Sequence, residues 1–407
     1  MRMTMKEKTF LTKAFCEQYR KASKKKKGEI LSQVVTATGY TRSYASYLLR
    51  NHGRRVFIHH NIALEGNAKG KQRRRKAVRK YDAAVLKSLK YIWEMMDYIA
   101  AKRLAAALPE IIPNLERFGE IKVSKSVREK LLQISPATID RLLKPEREKH
   151  MLKKRIHHTK PGTLLKNQIP IRTFSDWDDA QPGFFEMDLV GHDGGSAAGD
   201  YCFTLDMTDV CSGWSEQVAV INKAQIHVFE GIRTIRKRAP IDILGLDSDN
   251  GSEFINHHLL RYCKQENITF TRSRPYRKND TCFVEQKNWS IVRRFAGYMR
   301  LESQKQCEML NELYGLLRDY NNFFMPSMRL REKTRDGARV SRKFHPPKTP
   351  YQMLLESEKV SRKVKRGLRS KYATLNLAEL SRRIEKIQDK ILCSQKSLHR
   401  TRASRNA

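Results

Sequence analysis

Between Gln181 and Tyr298 the chain reads as three β-rich runs followed by alternating helix and strand, and no other feature narrows the fold as far. FFEMDLVGHD, YCFTLDMTDV and WSEQVAVI are separated by the turn-forming segments GHDGGSAAGD and CSG, which implies an antiparallel meander. A helical stretch from Asn222 to Arg238 comes next, then the strand IDILGL and a helix from about Glu253 to Glu266. The strand ITFTRS, a polar loop PYRKND and a long helix from about Thr281 to Tyr298 complete the series. The order βββαβαβα specifies an α/β domain, a mixed sheet with helices packed on its faces.

Charge divides the chain in the same place. Residues 1–180 carry 41 Lys+Arg against 17 Asp+Glu and residues 331–407 carry 22 against 7, whereas residues 181–330 carry 18 against 19. The net charge of +38 therefore lies wholly outside the middle block. Basic flanks of this kind supply the electrostatic attraction that binds phosphate backbones. A near-neutral middle rich in Asp would be repelled by nucleic acid unless cations sat on it. Hydrophobic residues make up 40% of the chain, enough for sizeable cores. No apolar run reaches the roughly 18 residues needed to cross a membrane, and MRMTMKEKTF lacks the apolar core of a signal peptide. The seven cysteines are scattered and include no CxxC pair, which argues against a disulfide framework or a zinc knuckle. The expectation is a cytoplasmic, nucleoid-associated protein with no membrane contact.

The N-terminal region reads as all-α. Ile30, Leu31, Val34 and Val35 mark a helical stripe that stops near Gly39, and Thr41 is placed to cap a second helix carrying Tyr44, Tyr47, Leu48 and Leu49. Such a pair resembles a helix-turn-helix, with Arg42, Ser43, Ser46 and Arg50 facing outward toward DNA. The basic run GKQRRRKAVRK (70–80) suits either a solvated linker or a phosphate-tracking arm. Residues 81–107 and 127–144 are again helical. Ser135-Pro136 is a cap followed by a first-turn proline. Ile139, Leu142 and Leu143 face inward, while Thr138, Arg141 and Lys144 face out, which makes a second helix-turn-helix candidate. The expected organisation is a helix-turn-helix region with a basic arm (1–80), a second helical region (81–150), a basic linker (151–180), the α/β core (181–330) and a basic C-terminal region (331–407). In that last region Leu377, Leu380, Ile384, Ile387 and Ile391 alternate spacings of three and four. The pattern suits a short coiled coil or packing against the chain's own domains.

Three acids of the middle block stand at element ends: Asp188 in the first strand, Asp249 just past the fourth, and Glu285 in the first turns of the last helix. Three carboxylates brought together repel one another unless divalent cations are bound. Oxygen-only ligation suits Mg²⁺ or Mn²⁺. Sixty residues separate Asp188 from Asp249, and 35 separate Asp249 from Glu285. Asp247 is the rival for the second position, and Asp206 and Asp209 are extra acids on the second strand.

This pattern, with its 35-residue gap, resembles the DDE core shared by retroviral integrases and bacterial insertion-sequence transposases. DSDNGSEF resembles the family's second-Asp motif, and the DNG context favours Asp249 over Asp247. Asn288, three residues past Glu285, matches an Asn found on the family's catalytic helix, and TPYQMLL (349–355) resembles a segment that follows such cores. The resemblance implies an RNase H-like fold for 181–330. It further implies a transposase that cuts the ends of a mobile element and transfers the freed strand to target DNA. Asp188, Asp249 and Glu285 would hold two Mg²⁺ or Mn²⁺ ions, on double-stranded DNA, in a homodimer or higher oligomer. The zinc module of retroviral integrases is absent, so end binding falls to the helical region. Around the acids, Lys287, Asn288, Arg293 and Arg294 on the helix, and Arg272, Arg274, Arg277 and Lys278 before it, offer DNA contacts. GHDGGSAAG has neither nucleotide-loop spacing and reads as a hairpin turn. An inactive copy that only binds DNA and an RNase H-fold nuclease are the competing readings.

Overall fold

The computed structural model describes residues 3–59, 62–66, 80–150, 181–248, 254, 257–272, 282–337 and 339–403. The chain divides into two compact units, Met1–Lys80 and Tyr81–Ala407.

In the first unit, helices α1 (Met5–Lys21), α2 (Lys24–Thr38) and α3 (Arg42–Asn51) enclose a small core of Cys16, Tyr19, Ile30, Leu31, Val34, Ala45 and Leu49. Gly39 ends α2 in the left-handed conformation, and the Thr41 hydroxyl accepts the Tyr44 N–H to start α3. Tyr44 and Tyr47 are exposed rather than part of the buried stripe, because Ala45, Leu48 and Leu49 occupy the inner face. A hairpin of β1 (Arg54–His59) and β2 (Ile62–Gly66) follows, where an all-helical reading had no strand.

The second unit opens with α4 (Ala83–Met95), α5 (Ala101–Arg117), α6 (Lys125–Leu132) and α7 (Pro136–His150). The helical reading of 81–107 is met by two helices, separated by a break at Asp97 and Tyr98, both at positive φ. Trp93 holds that break by donating its indole N–H to the Ile99 carbonyl at 3.0 Å. Ser135 caps α7 through the Thr138 N–H, and Ile139 and Leu143 are buried as their spacing predicts.

The central sheet has the order β5-β4-β3-β6-β7. Its strands are β3 (Phe184–Gly191), β4 (Phe203–Asp209), β5 (Ser215–Val220), β6 (Gly245–Ser248) and β7 (Thr269–Arg272). The first three form the antiparallel meander, and β6 and β7 add in parallel on the other side of β3. Helices α8 (Gln225–Arg238) and α9 (His257–Gln265) make the crossovers that parallel pairing requires. This mixed sheet flanked by helices is the RNase H-like, integrase-type architecture. Strand β6 begins at Gly245, later than IDILGL suggests. At Gly245 the chain passes so close to Phe184 that a Cβ would lie 2.4 Å from its ring.

Past the sheet come α10 (Cys282–Lys287), a π-helical stretch over Asn288–Arg293 and α11 (Arg294–Ala296). Then α12 (Gln304–Phe324) runs along β5 and closes the sheet edge. Asn311 bonds both the N–H and the C=O of Ala219, and Asn322 does the same for Ser215. Backbone groups that would template another strand are thereby occupied. A hairpin of β8 (Leu330–Asp336) and β9 (Arg339–Phe344) precedes α13 (Pro350–Glu356), α14 (Arg362–Thr374) and α15 (Leu377–Ala403). Leu377, Leu380, Ile384, Ile387 and Ile391 are all buried, with α15 packed on α12, α4 and α5. Of the two uses open to that stripe, the structure takes packing within the chain. Buried Asn114 anchors the start of α15 by bonding the Leu375 carbonyl and the Leu377 N–H.

Candidate active site

Alternation along β3 puts Glu186 and Asp188 on one face and Phe185 and Met187 on the other. The register extends this division across the sheet. Asp188 pairs with Asp206, and Asp206 with Gln217; Glu186 pairs with Thr208 and with Asp247, and Asp247 with Thr271. One face is therefore a polar belt. The opposite face carries Phe185, Met187, Leu205 and Leu246, all buried, and receives α8, where Gly231 allows close approach to Leu205.

Helix α10 lies over the polar belt and is joined to it by specific bonds. Asn288 donates its amide N–H to Asp188 Oδ2 at 2.6 Å, while Asp188 Oδ1 accepts the Leu189 N–H at 2.8 Å. Glu285 is one turn earlier on the helix and exposed, on the face it shares with Asn288 by i, i+3 geometry. Asp188 and the Glu285-bearing face are thus brought to one place. Asp249, Arg274, Arg277 and Lys278 lie outside the described residues. Ser248, the residue before Asp249, pairs with Met187, the residue before Asp188.

Glu186 was not singled out by sequence. It is wholly buried and its Oε2 accepts the N–H groups of Phe283 and Val284 at 2.8 and 2.9 Å. Burial pushes its carboxyl up to about 8 in spite of those two bonds, and the nearby acids Asp247 and Glu285 add to the rise. The signal available was the period-two match of Glu186 with Asp188 inside an apolar strand. Asp247 stays within the sheet, where its Oδ1 accepts the Thr271 hydroxyl at 2.6 Å. Asp206 is also buried, takes the Gln217 amide at 3.0 Å, and is raised to about 7 by burial. Lys287 is lowered to about 8 by burial, opposed by the Asp206 charge.

Several basic residues near the helix already have partners. Arg293 stacks over the Tyr298 ring at 4.9 Å. Arg294 pairs with the Asp97 carboxylate and donates to its carbonyl at 2.8 Å. Arg300 donates to the carbonyls of Asp193, Ser196, Ala198 and Asp200. The glycine-rich segment before β4 therefore wraps a guanidinium with its carbonyls inward, the reverse of a phosphate cradle. His192 is buried against Thr204 at 2.7 Å, and Thr204 against Tyr314 at 2.6 Å; burial lowers the imidazole to about 4 and keeps it neutral.

Of the helix-turn-helix candidates, Arg42 bonds Ser32, and Ser43 and Arg50 are exposed. Arg141 bonds Thr138, and exposed Lys144 lies 3.8 Å from Glu148.

The donors at Asp188 and Glu285 are carboxylate oxygens, which suits a hard divalent cation. Buried Asn288 Oδ1, beside Asp188, has no hydrogen-bond partner among the described residues, which is consistent with a further group being taken up there. Among the described residues no three His, Cys, Asp or Glu side chains form a complete metal-holding group. No helix among them is long and apolar enough to cross a membrane.

Residues 178–278 match the family model described as integrase core domain. The uncharacterized protein y4rM of Sinorhizobium fredii (strain NBRC 101917 / NGR234) is 38% identical over 351 residues, spanning 86% of this chain and 95% of its own. Among solved structures, the catalytic core domain of BIV integrase matches at 24% identity and a TM-score of 0.30, over 43% of this chain and 95% of that one. The HTLV-2 integrase catalytic core domain in complex with magnesium, in a trimeric form, matches at 16% identity and a TM-score of 0.24, over 29% and 72%.

Proposed function

The chain belongs to the DDE transposase/integrase superfamily, and from that premise we propose that it is a transposase. On this reading it binds the ends of a mobile DNA element and carries out metal-dependent cleavage and strand transfer. The observation that carries the proposal is the 2.6 Å bond from Asn288 to Asp188, which seats the Glu285 helix against the first-Asp strand of an integrase core.

Asp188, Asp249 and Glu285 would hold Mg²⁺ or Mn²⁺, two ions in the family arrangement. Such ions, when bound, supply Lewis acidity to the attacking and leaving oxygens of a phosphodiester. The chain's own part is positional. Leu189 N–H and Asn288 hold the Asp188 carboxylate in one orientation. Binding of the element ends falls to Arg42, Ser43, Arg50, Arg141 and Lys144 of the helix-turn-helix candidates, and phosphate contacts that position the duplex fall to Arg277 and Lys278. Handling two element ends together calls for a homodimer or larger assembly.

The test uses purified protein and a plasmid bearing the DNA that flanks the gene, supplied with Mg²⁺ or Mn²⁺. Wild type is expected to cleave at the flanks and join the freed ends to target, and Glu285→Gln to do neither while still binding. Cleavage without joining would point to a nuclease of the same fold. Binding without any product would leave a DNA-binding protein and remove the catalytic proposal.

A further inference from the structure

We infer that Glu186 is a positioning residue that ties the first turn of the Glu285 helix to the strand bearing Asp188; the inference rests on the reading above. The first amides of a helix have no acceptor within it. They are ordinarily satisfied by a side chain immediately before the helix. For α10 an acceptor comes from 97 residues away: Glu186 Oε2 takes the Phe283 N–H at 2.8 Å and the Val284 N–H at 2.9 Å.

Glu186 is two residues before Asp188 on the same face of β3. With the Asn288–Asp188 bond at the start of the π-helical stretch, the segment carrying Glu285 is attached to β3 on both sides of that residue, at 283–284 and at 288. Two attachments fix both the distance and the rotation of the turn between them. A packing role alone would be served better by an apolar side chain, because a buried carboxyl must be compensated by hydrogen bonds. The accuracy matters, since a displacement of about 1 Å in a reacting geometry costs roughly 100-fold in rate.

The experiment uses full-length protein and two variants. In the absence of metal and DNA, amide hydrogen exchange at Phe283 and Val284 is expected to accelerate in Glu186→Ala. Glu186→Gln retains a carbonyl acceptor and should keep them protected. With Mg²⁺ and the flanking-DNA plasmid, Glu186→Ala should lose about 10–100-fold in kcat, the range found when a side chain supporting a metal site is removed, with KM for DNA unchanged. Glu186→Gln should restore kcat to near wild type. Unchanged exchange or wild-type kcat in Glu186→Ala would overturn the inference, as would a Gln variant as impaired as the Ala variant. If the Ala variant fails to fold, the Gln variant decides: protected amides with near-wild-type kcat support the tether, and their loss overturns it. A wild type that neither cuts nor joins would sink the proposed function, while the exchange at Phe283 and Val284 would still decide whether the tether exists.

Discussion

The bond between Asn288 and Asp188 is the smallest unit on which the site depends. A hydrogen bond to a charged group contributes roughly 1.5–3 kcal/mol, and this one also orients a carboxylate. Replacing Asn288 with Ala should therefore lower cleavage by about 10–100-fold and lower the unfolding free energy by about 1.5–3 kcal/mol. Wild-type rates in that variant would show that Asp188 needs no such support. Asp188, Glu285 and Asn288 stood out in the sequence because their spacing resembles that of a known family, and the structure brings Asn288 to Asp188. Glu186 did not stand out, because its partners are the amides of Phe283 and Val284, and an acceptor for remote backbone groups leaves no mark in composition. The basic residues show the same limit. Sequence marks Arg293 and Arg294 as cations near the site, but the Tyr298 ring and Asp97 claim them.

Among the elements, the last helix of the core departs most from its sequence reading. A single α-helix over about 281–298 is expected from periodicity. The structure has six α-helical residues, a π-helical stretch from Asn288 to Arg293 and a short α11. The wider π turn begins at the residue that bonds Asp188, and such insertions frequently accompany functional positions. Helix α15 shows the opposite case, a pattern read correctly whose partner was open. Its stripe buries Ile384 and Ile387 against the chain's own helices. Ile384→Ala should destabilise the Tyr81–Ala407 unit by about 2–5 kcal/mol in urea unfolding. Sedimentation should show the same oligomeric state as wild type, because the stripe is already occupied. A change of oligomeric state with unchanged stability would reverse that conclusion.

Across the whole molecule, charge is divided differently from the two compact units, whose boundary in the sequence is at Lys80: the excess of positive charge lies in residues 1–180 and 331–407, and the acids of the candidate site lie between them in the sequence. If the flanks bind phosphate backbones, affinity for DNA should fall steeply with salt. A protein making 6–10 phosphate contacts loses on the order of 10³–10⁵ between 50 and 200 mM salt. Titration of a labelled duplex at several salt concentrations measures this, and a flat dependence would remove the flanks from DNA binding. The sequence by itself determined the strand and helix order, the charge partition and the carboxylate spacing, because periodicity and composition are written locally along the chain. Tertiary structure alone decided that Glu186 caps a helix 97 residues away, that α15 packs at home, and that two asparagines close the β5 edge. Each of those outcomes depends on which buried donor, acceptor or apolar face meets which other, and contacts between distant segments are chosen only when the chain packs.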